Sequence, residues 1–197
     1  THEFRTPLTV ILGLSRHILQ KEISDEREVH YTLRSISRQG EQLLHLVNQI
    51  LDIARSESGA DCPEWKNGDV VTYLRMLSDG IRQYALNKQI DLIFLSTTDS
   101  IQMDFVPDYL EKIVGNLLSN AFKHCGRGDK VILYVSKDDY KAACVIEVRD
   151  SGNGIAEKDL PRIFELYYQA DSDYSRDTGT GVGLALTRQL VDKLDGT

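Results

Sequence analysis

The chain has 197 residues, 41% hydrophobic and 27% charged, with 30 acidic against 23 basic side chains and a formal net charge of −7. That length allows one large domain or two small ones with a real core, and the acidic balance argues against a nucleic-acid surface, which needs clustered Lys and Arg. No apolar run approaches the roughly 18 residues that cross a bilayer, no signal-peptide pattern is present, and Cys62, Cys125 and Cys144 lack C-x-x-C spacing, so reduced structural thiols are expected rather than disulfides or a zinc site.

In chain order, Phe4, Leu8, Ile11, Leu12, Ile18 and Leu19 fall on one stripe and predict an amphipathic helix. A polar turn, "KEISDEREV", follows. Leu33, Ile36, Gly40, Leu43, Leu44, Val47, Ile50, Leu51 and Ala54 predict a second long helix. Two such helices make an antiparallel hairpin with an open apolar face, which dimerisation into a four-helix bundle would cover. "SESGADCPEWKNGD", Ser56 to Asp69, breaks the pattern and reads as a linker. It divides the chain into a hairpin domain over 1–58 and a second domain over 59–197. The second domain is predicted to hold a helix over about 69 to 87, the strands "IDLIFLS" and "IQMDF", and a helix from about Pro107 to Lys123. The strands "KVILYVS" and "KAACVIEVRD", a glycine-rich region and a last helix over about 181 to 194 complete it. Strands and helices do not alternate one for one, so an α+β fold is expected, with a mixed sheet and helices on one face.

Four stretches could carry chemistry. At 100° per residue His2 sits about 200° around from Phe4, away from the apolar stripe, with Thr6 one turn further along the same exposed face. Thr6-Pro7 also reads as an N-cap followed by proline at the first helical position, which would start the helix after His2; the local signals leave both readings open. "NLLSNAFKH" places Asn116, Asn120 and Lys123 on one helical face, a set that suits a hard metal and phosphates, although on this stretch alone a solvated polar face is the better reading. "VRDSGNGIAEKDL" ends a strand in Asp150 and turns at Gly152 and Gly154, where a carboxylate can accept from the amino group of a base; a tight turn is the plainer reading. "DTGTGVGLALTRQL" runs Gly179, Gly181 and Gly183 into an apolar helix, a phosphate-binding geometry that matches neither the dinucleotide fingerprint nor a P-loop. The long Tyr-rich segment between these glycine stretches suits a lid over a ligand.

Together and in this order the stretches resemble the sensor histidine kinases of two-component signalling. "HEFRTPLT" is similar to the phospho-acceptor H box, "NLLSNAFKH" to the N box, "DSGNGI" to the first glycine box, "IFELYY" to the F box and "TGTGVGLAL" to the second glycine box. The resemblance implies a first helix running through His2, and a second domain with the ATP-binding sandwich of DNA gyrase and the heat-shock chaperones. It implies ATP and Mg²⁺ as cofactors. His2 would be the nucleophile, Glu3 its orienting base, and Thr6 the group that positions water for phosphatase action on the partner. Asn120 would be the Mg²⁺ ligand and Asn116 its helper. Lys123 would contact phosphate and Asp150 the adenine amino group. Gly152, Gly154, Gly179, Thr180, Gly181, Val182, Gly183 and Leu184 would shape the pocket, with Phe164 anchoring the lid and Arg176 within it reaching toward the γ-phosphate.

The implied partners are a second copy of the chain and the receiver domain of a response regulator, with neither nucleic acid nor direct membrane contact. The implied setting is the cytoplasmic portion of a membrane-anchored sensor. The chaperone-type ATPases carry a water-activating glutamate where this chain has Asn116, so a free-standing ATPase is disfavoured. A degenerate nucleotide-binding scaffold is the alternative, but it would be expected to have lost His2, Asn120 or Asp150. Departures from the pattern are Phe4 for a leucine, "KHCGRGDK" after the N box, a start one residue before His2, and an end at "KLDGT" before the family's closing hairpin. The expectation is a piece of a longer chain.

Overall fold

The computed structural model describes residues 2–20, 25–58, 62–140, 143–169 and 180–197, with the side chains of His2, Glu3 and Glu57 outside that description. The chain divides into two compact units, Thr1–Ser58 and Gly59–Thr197.

The first unit is a hairpin of α1 (His2–Gln20) packed on α2 (Glu26–Ser58). Pro7 lies inside α1, so the helix does not wait for a Thr6 cap. That is the course the family resemblance implied, and it overrides the local N-cap signal. α2 begins earlier than the apolar stripe, within the segment expected as a turn. The Asp25 carboxylate accepts the Arg27 N–H at 2.9 Å, and Glu26 and Glu28 complement the helix dipole in the first turn. A polar start of this kind is invisible to hydrophobic periodicity. Leu8, Leu12, Leu33, Leu44 and Leu51 remain exposed on the hairpin, Leu44 by 60%.

The second unit contains β1 (Lys66–Asp69), α3 (Val70–Asn87), β2 (Asp91–Ser96), β3 (Gln102–Phe105), α4 (Pro107–His124), β4 (Lys130–Asp138), β5 (Ala143–Asp150) and α5 (Gly183–Lys193). Its strands form two sheets where one mixed sheet was expected. β1 pairs antiparallel with β3, and β2 runs parallel to β4, which pairs antiparallel with β5. β1 corrects the linker reading of Ser56–Asp69: "KNGD" has no apolar alternation, and its strand conformation comes from pairing with Gln102–Phe105. Asp69 then caps α3, accepting from Val71 N at 3.2 Å, from Ile101 N at 2.9 Å and from the Thr72 hydroxyl.

Val131, Leu133 and Val135 alternate along β4 and are fully buried. With Leu92 of β2 they meet Val71 and Leu74 of α3 and Val114, Leu118 and Phe122 of α4 in one core. α4 starts at Pro107, with Asp108 in its first turn, and α5 packs against it. α4 therefore contacts both the core under the sheet and α5.

Candidate functional site

In the first unit, α1 carries His2, Glu3 and Thr6 within its first two turns. Thr6 is exposed, whereas the side chains of His2 and Glu3 lie outside the described residues.

In the second unit the site is built where α4, the end of β5 and the start of α5 come together. Leu118 and Ala121 point into the core, so Asn116, Asn120 and Lys123 are left on the half-buried opposite side of α4. Leu117, between Asn116 and Asn120 in sequence, is half-buried. The Asn116 amide donates to the Gly183 carbonyl at 3.1 Å and lies 3.5 Å from the Thr187 hydroxyl, which itself donates to Gly183 at 2.9 Å. Asn116 therefore ties the N-box helix to the second glycine stretch, a structural task beyond the expected role as a metal helper.

β5 delivers Asp150 at its last position, where the carboxylate accepts the Gly152 N–H at 3.0 Å. Gly152 is required by packing: a Cβ there would sit 2.4 Å from the His124 carbonyl oxygen. The first glycine turn is thus pressed onto the C-terminal end of α4. Gly154 is needed for a different reason, since its φ of +68° favours glycine while nothing crowds its Cβ position. Around this turn, burial, reinforced by Lys123 and opposed by Asp150, pushes the His124 imidazole below its usual pKa. Burial also pushes the Cys125 thiol up, with Asp150 and Asp129 adding to it, and burial alone raises Cys144. Both thiols are held protonated, in keeping with a structural role.

The second glycine stretch leads into α5, whose N-terminus carries no side-chain cap. The opening N–H groups of a helix have no intrahelical partner, which suits them to an anion. Val182 is fully buried and its N–H is 3.4 Å from the Thr180 hydroxyl, while Leu184 is half-buried in the first turn of the helix. Gly181 has a φ of +63°, and a Cβ there would lie 2.7 Å from the Tyr167 carbonyl carbon. This explains why α5 begins at Gly183 and not at the expected 181. The F-box strand of chain reaches the same point: Tyr167 N donates to Gly181 O at 2.8 Å. Phe164 is partly exposed, with the Arg188 guanidinium 5.7 Å from its ring centroid. Arg176 and Gly179 lie outside the described residues.

Sequence reasoning passed over Asp159 and Tyr168. Asp159 is 7% exposed as a residue, and its carboxylate accepts the Tyr168 hydroxyl at 2.7 Å. An aspartate in a polar, irregular segment gives no signal of burial in advance.

These residues fit an adenine nucleotide: a carboxylate at a strand end, a glycine turn with no room for a side chain, and an uncapped helix start. Among the described residues no three His, Cys, Asp or Glu side chains cluster to hold a metal. A divalent ion here would depend on an amide such as Asn120 and on the phosphates of the nucleotide.

Two family descriptions match the chain: "His Kinase A (phospho-acceptor) domain" over residues 1–59 and "Histidine kinase-, DNA gyrase B-, and HSP90-like ATPase" over 105–197. This chain belongs to the sensor histidine kinases. Its second unit holds the ATP-binding domain of that family. The chain is 34% identical over 199 residues to the circadian input-output histidine kinase CikA of Synechococcus elongatus, covering 98% of this chain and 26% of that protein. Full-length ShkA, solved with AMPPNP, superposes with a TM-score of 0.74 at 28% identity, over 100% of this chain and 40% of that one. Histidine kinase ThkA, solved with the response regulator TrrA, gives a TM-score of 0.78 at 19% identity, over 99% and 53% of the two chains, and shows the shared fold. The chain spans between 14% and 26% of the length of the curated relatives it matches. Among the described residues no helix is long and apolar enough to cross a membrane.

Proposed function

We propose that this kinase phosphorylates itself on His2 from ATP and passes the phosphoryl group to an aspartate of a response-regulator receiver domain. A ring nitrogen of His2 forms a bond to the γ-phosphorus as the bond to the bridging oxygen breaks and ADP leaves, and Glu3 takes up the imidazole proton. Asp150 reads the adenine amino group, Lys123 and the α5 amides hold phosphate, and Asn120 would hold Mg²⁺, which would supply positive charge to offset that of the phosphates. Asn116 stands where a water-activating base would be needed, and it is occupied in tying α4 to α5. The pocket therefore lacks a built-in hydrolytic base at that position, which favours transfer to His2 over loss to water.

The observation that carries this reading is the closed turn at Asp150 and Gly152 against α4, in the same unit as an uncapped, glycine-led α5. The exposed leucines of the hairpin support a homodimer, in which a second copy would bury them in a four-helix bundle. The complex of ThkA with a response regulator supports the partner class. Thr6, exposed one turn beyond His2, supports an added phosphatase action on that partner.

The test is incubation with γ-labelled ATP and Mg²⁺, beside His2→Ala and Asn120→Ala. Acid-labile, base-stable label on the wild type that is absent from both variants is the expected result. Nucleotide binding by the wild type without any label would overturn the kinase reading in favour of a scaffold or phosphatase.

A further inference from the structure

We infer that Asp159 and Tyr168 are positioning residues for the nucleotide pocket, holding the F-box backbone on Gly181 and so fixing the path into α5. The inference rests on the reading of this unit as an ATP site. Asp159 is the one buried charged residue among the described residues. A carboxylate out of water needs a donor, and the Tyr168 hydroxyl supplies it at 2.7 Å. Tyr168 is also held on its face, by the Arg162 guanidinium 4.2 Å from the ring centroid, while Arg162 Nε reaches Glu165 at 3.1 Å. The backbone between them is equally fixed: Arg162 N donates to Asp159 O at 2.9 Å and Glu165 N to Arg162 O at 2.8 Å.

The purpose of so much anchoring lies one residue earlier. Tyr167 has a φ of +66°, a conformation that an aromatic residue adopts only when its surroundings impose it. In that conformation its N–H meets Gly181 O at 2.8 Å, and its backbone fills the space that a Gly181 side chain would take. Gly181 lies two residues before the first residue of α5, so a Tyr167 released to ordinary backbone angles would free the entry to the helix whose open amides face the phosphates. Asp159 touches no substrate in this scheme; it acts through Tyr168 and Tyr167.

The experiment measures binding of AMPPNP with Mg²⁺ by calorimetry on the 197-residue chain, with folding of each variant checked by far-UV circular dichroism. Losing one hydrogen bond to a charged group predicts that Tyr168→Phe weakens binding by about 10-fold or more. Asp159→Ala should match it, and the double variant should be no weaker than either single one, because both break the same link. Asp159→Asn keeps an oxygen for the Tyr168 hydroxyl and should bind within about threefold of wild type. A residue that merely packs would not show this rescue or this non-additivity. Wild-type affinity in Tyr168→Phe, additive losses in the double variant, or failure of Asp159→Asn to bind would each overturn the inference while leaving the ATP reading intact. A wild type that binds no nucleotide would overturn both.

Discussion

Gly152→Ala tests the site at its tightest point. The added methyl would lie 2.4 Å from the His124 carbonyl oxygen and 2.9 Å from its carbon. An ordinary C···O contact is about 3.3 Å or longer, so the turn must retreat by about 1 Å. Neither party can absorb that with a side-chain rotation, since both are backbone and the carbonyl belongs to the last turn of α4. Overpacking of this sort costs about 1–3 kcal/mol. Gly152 N–H is also the donor to Asp150 Oδ1 at 3.0 Å, so the retreat moves the carboxylate proposed to read the base. A misplaced hydrogen bond to a charged group is worth about 1.5–3 kcal/mol, or roughly 10- to 150-fold in nucleotide affinity. Calorimetric titration with AMPPNP and thermal unfolding without it would be run side by side. Gly154→Ala is the contrast: its Cβ meets nothing, and its cost should come from the φ of +68° alone, about 1–2 kcal/mol of stability. Wild-type affinity and an unchanged unfolding midpoint in Gly152→Ala would refute the close-approach argument.

Asp69→Ala should destabilise the second unit by about 1 kcal/mol or more through loss of the α3 cap, read by urea unfolding. The Thr72 hydroxyl, with the Ile101 and Val71 amides, holds the Asp69 carboxyl below the usual range against the opposing effect of burial. Its contribution is therefore present above about pH 4, the unfolded value, and is lost as pH falls through the lower folded one, a slope the variant should lack. His124, held down by burial, should titrate by NMR with a midpoint below about 6.5. Lys123→Met should raise that midpoint and Asp150→Asn should lower it, and the opposite signs would contradict the assignment of causes. Leu44→Glu places a charge on the exposed apolar face of the hairpin and should shift the chain toward monomer in sedimentation; an unchanged oligomer would remove that face from the interface.

Most of the secondary-structure elements were legible in the sequence. Periodicity found both hairpin helices, α3, α4 and the strands at Asp91, Gln102, Lys130 and Ala143, because burying one face imposes a 3.6- or 2-residue repeat on the chain. The motif order pointed to the family before any geometry was known. Other features are encoded in no local pattern and arise from long-range contacts. β1 exists because Gln102–Phe105 lies beside "KNGD", and α2 starts at Glu26 on a polar cap. Gly152 and Gly181 both lie in locally glycine-rich stretches, yet only packing shows that one faces the α4 carbonyl and the other the Tyr167 backbone. Asp159 looks like any solvated acid in "AEKDLPR", and its burial against Tyr168 follows from the fold bringing a hydroxyl nine residues away to within 2.7 Å. Hydrophobic pattern is a local property of the chain; a partner for a buried charge, and the space a side chain is denied, exist only once distant segments meet.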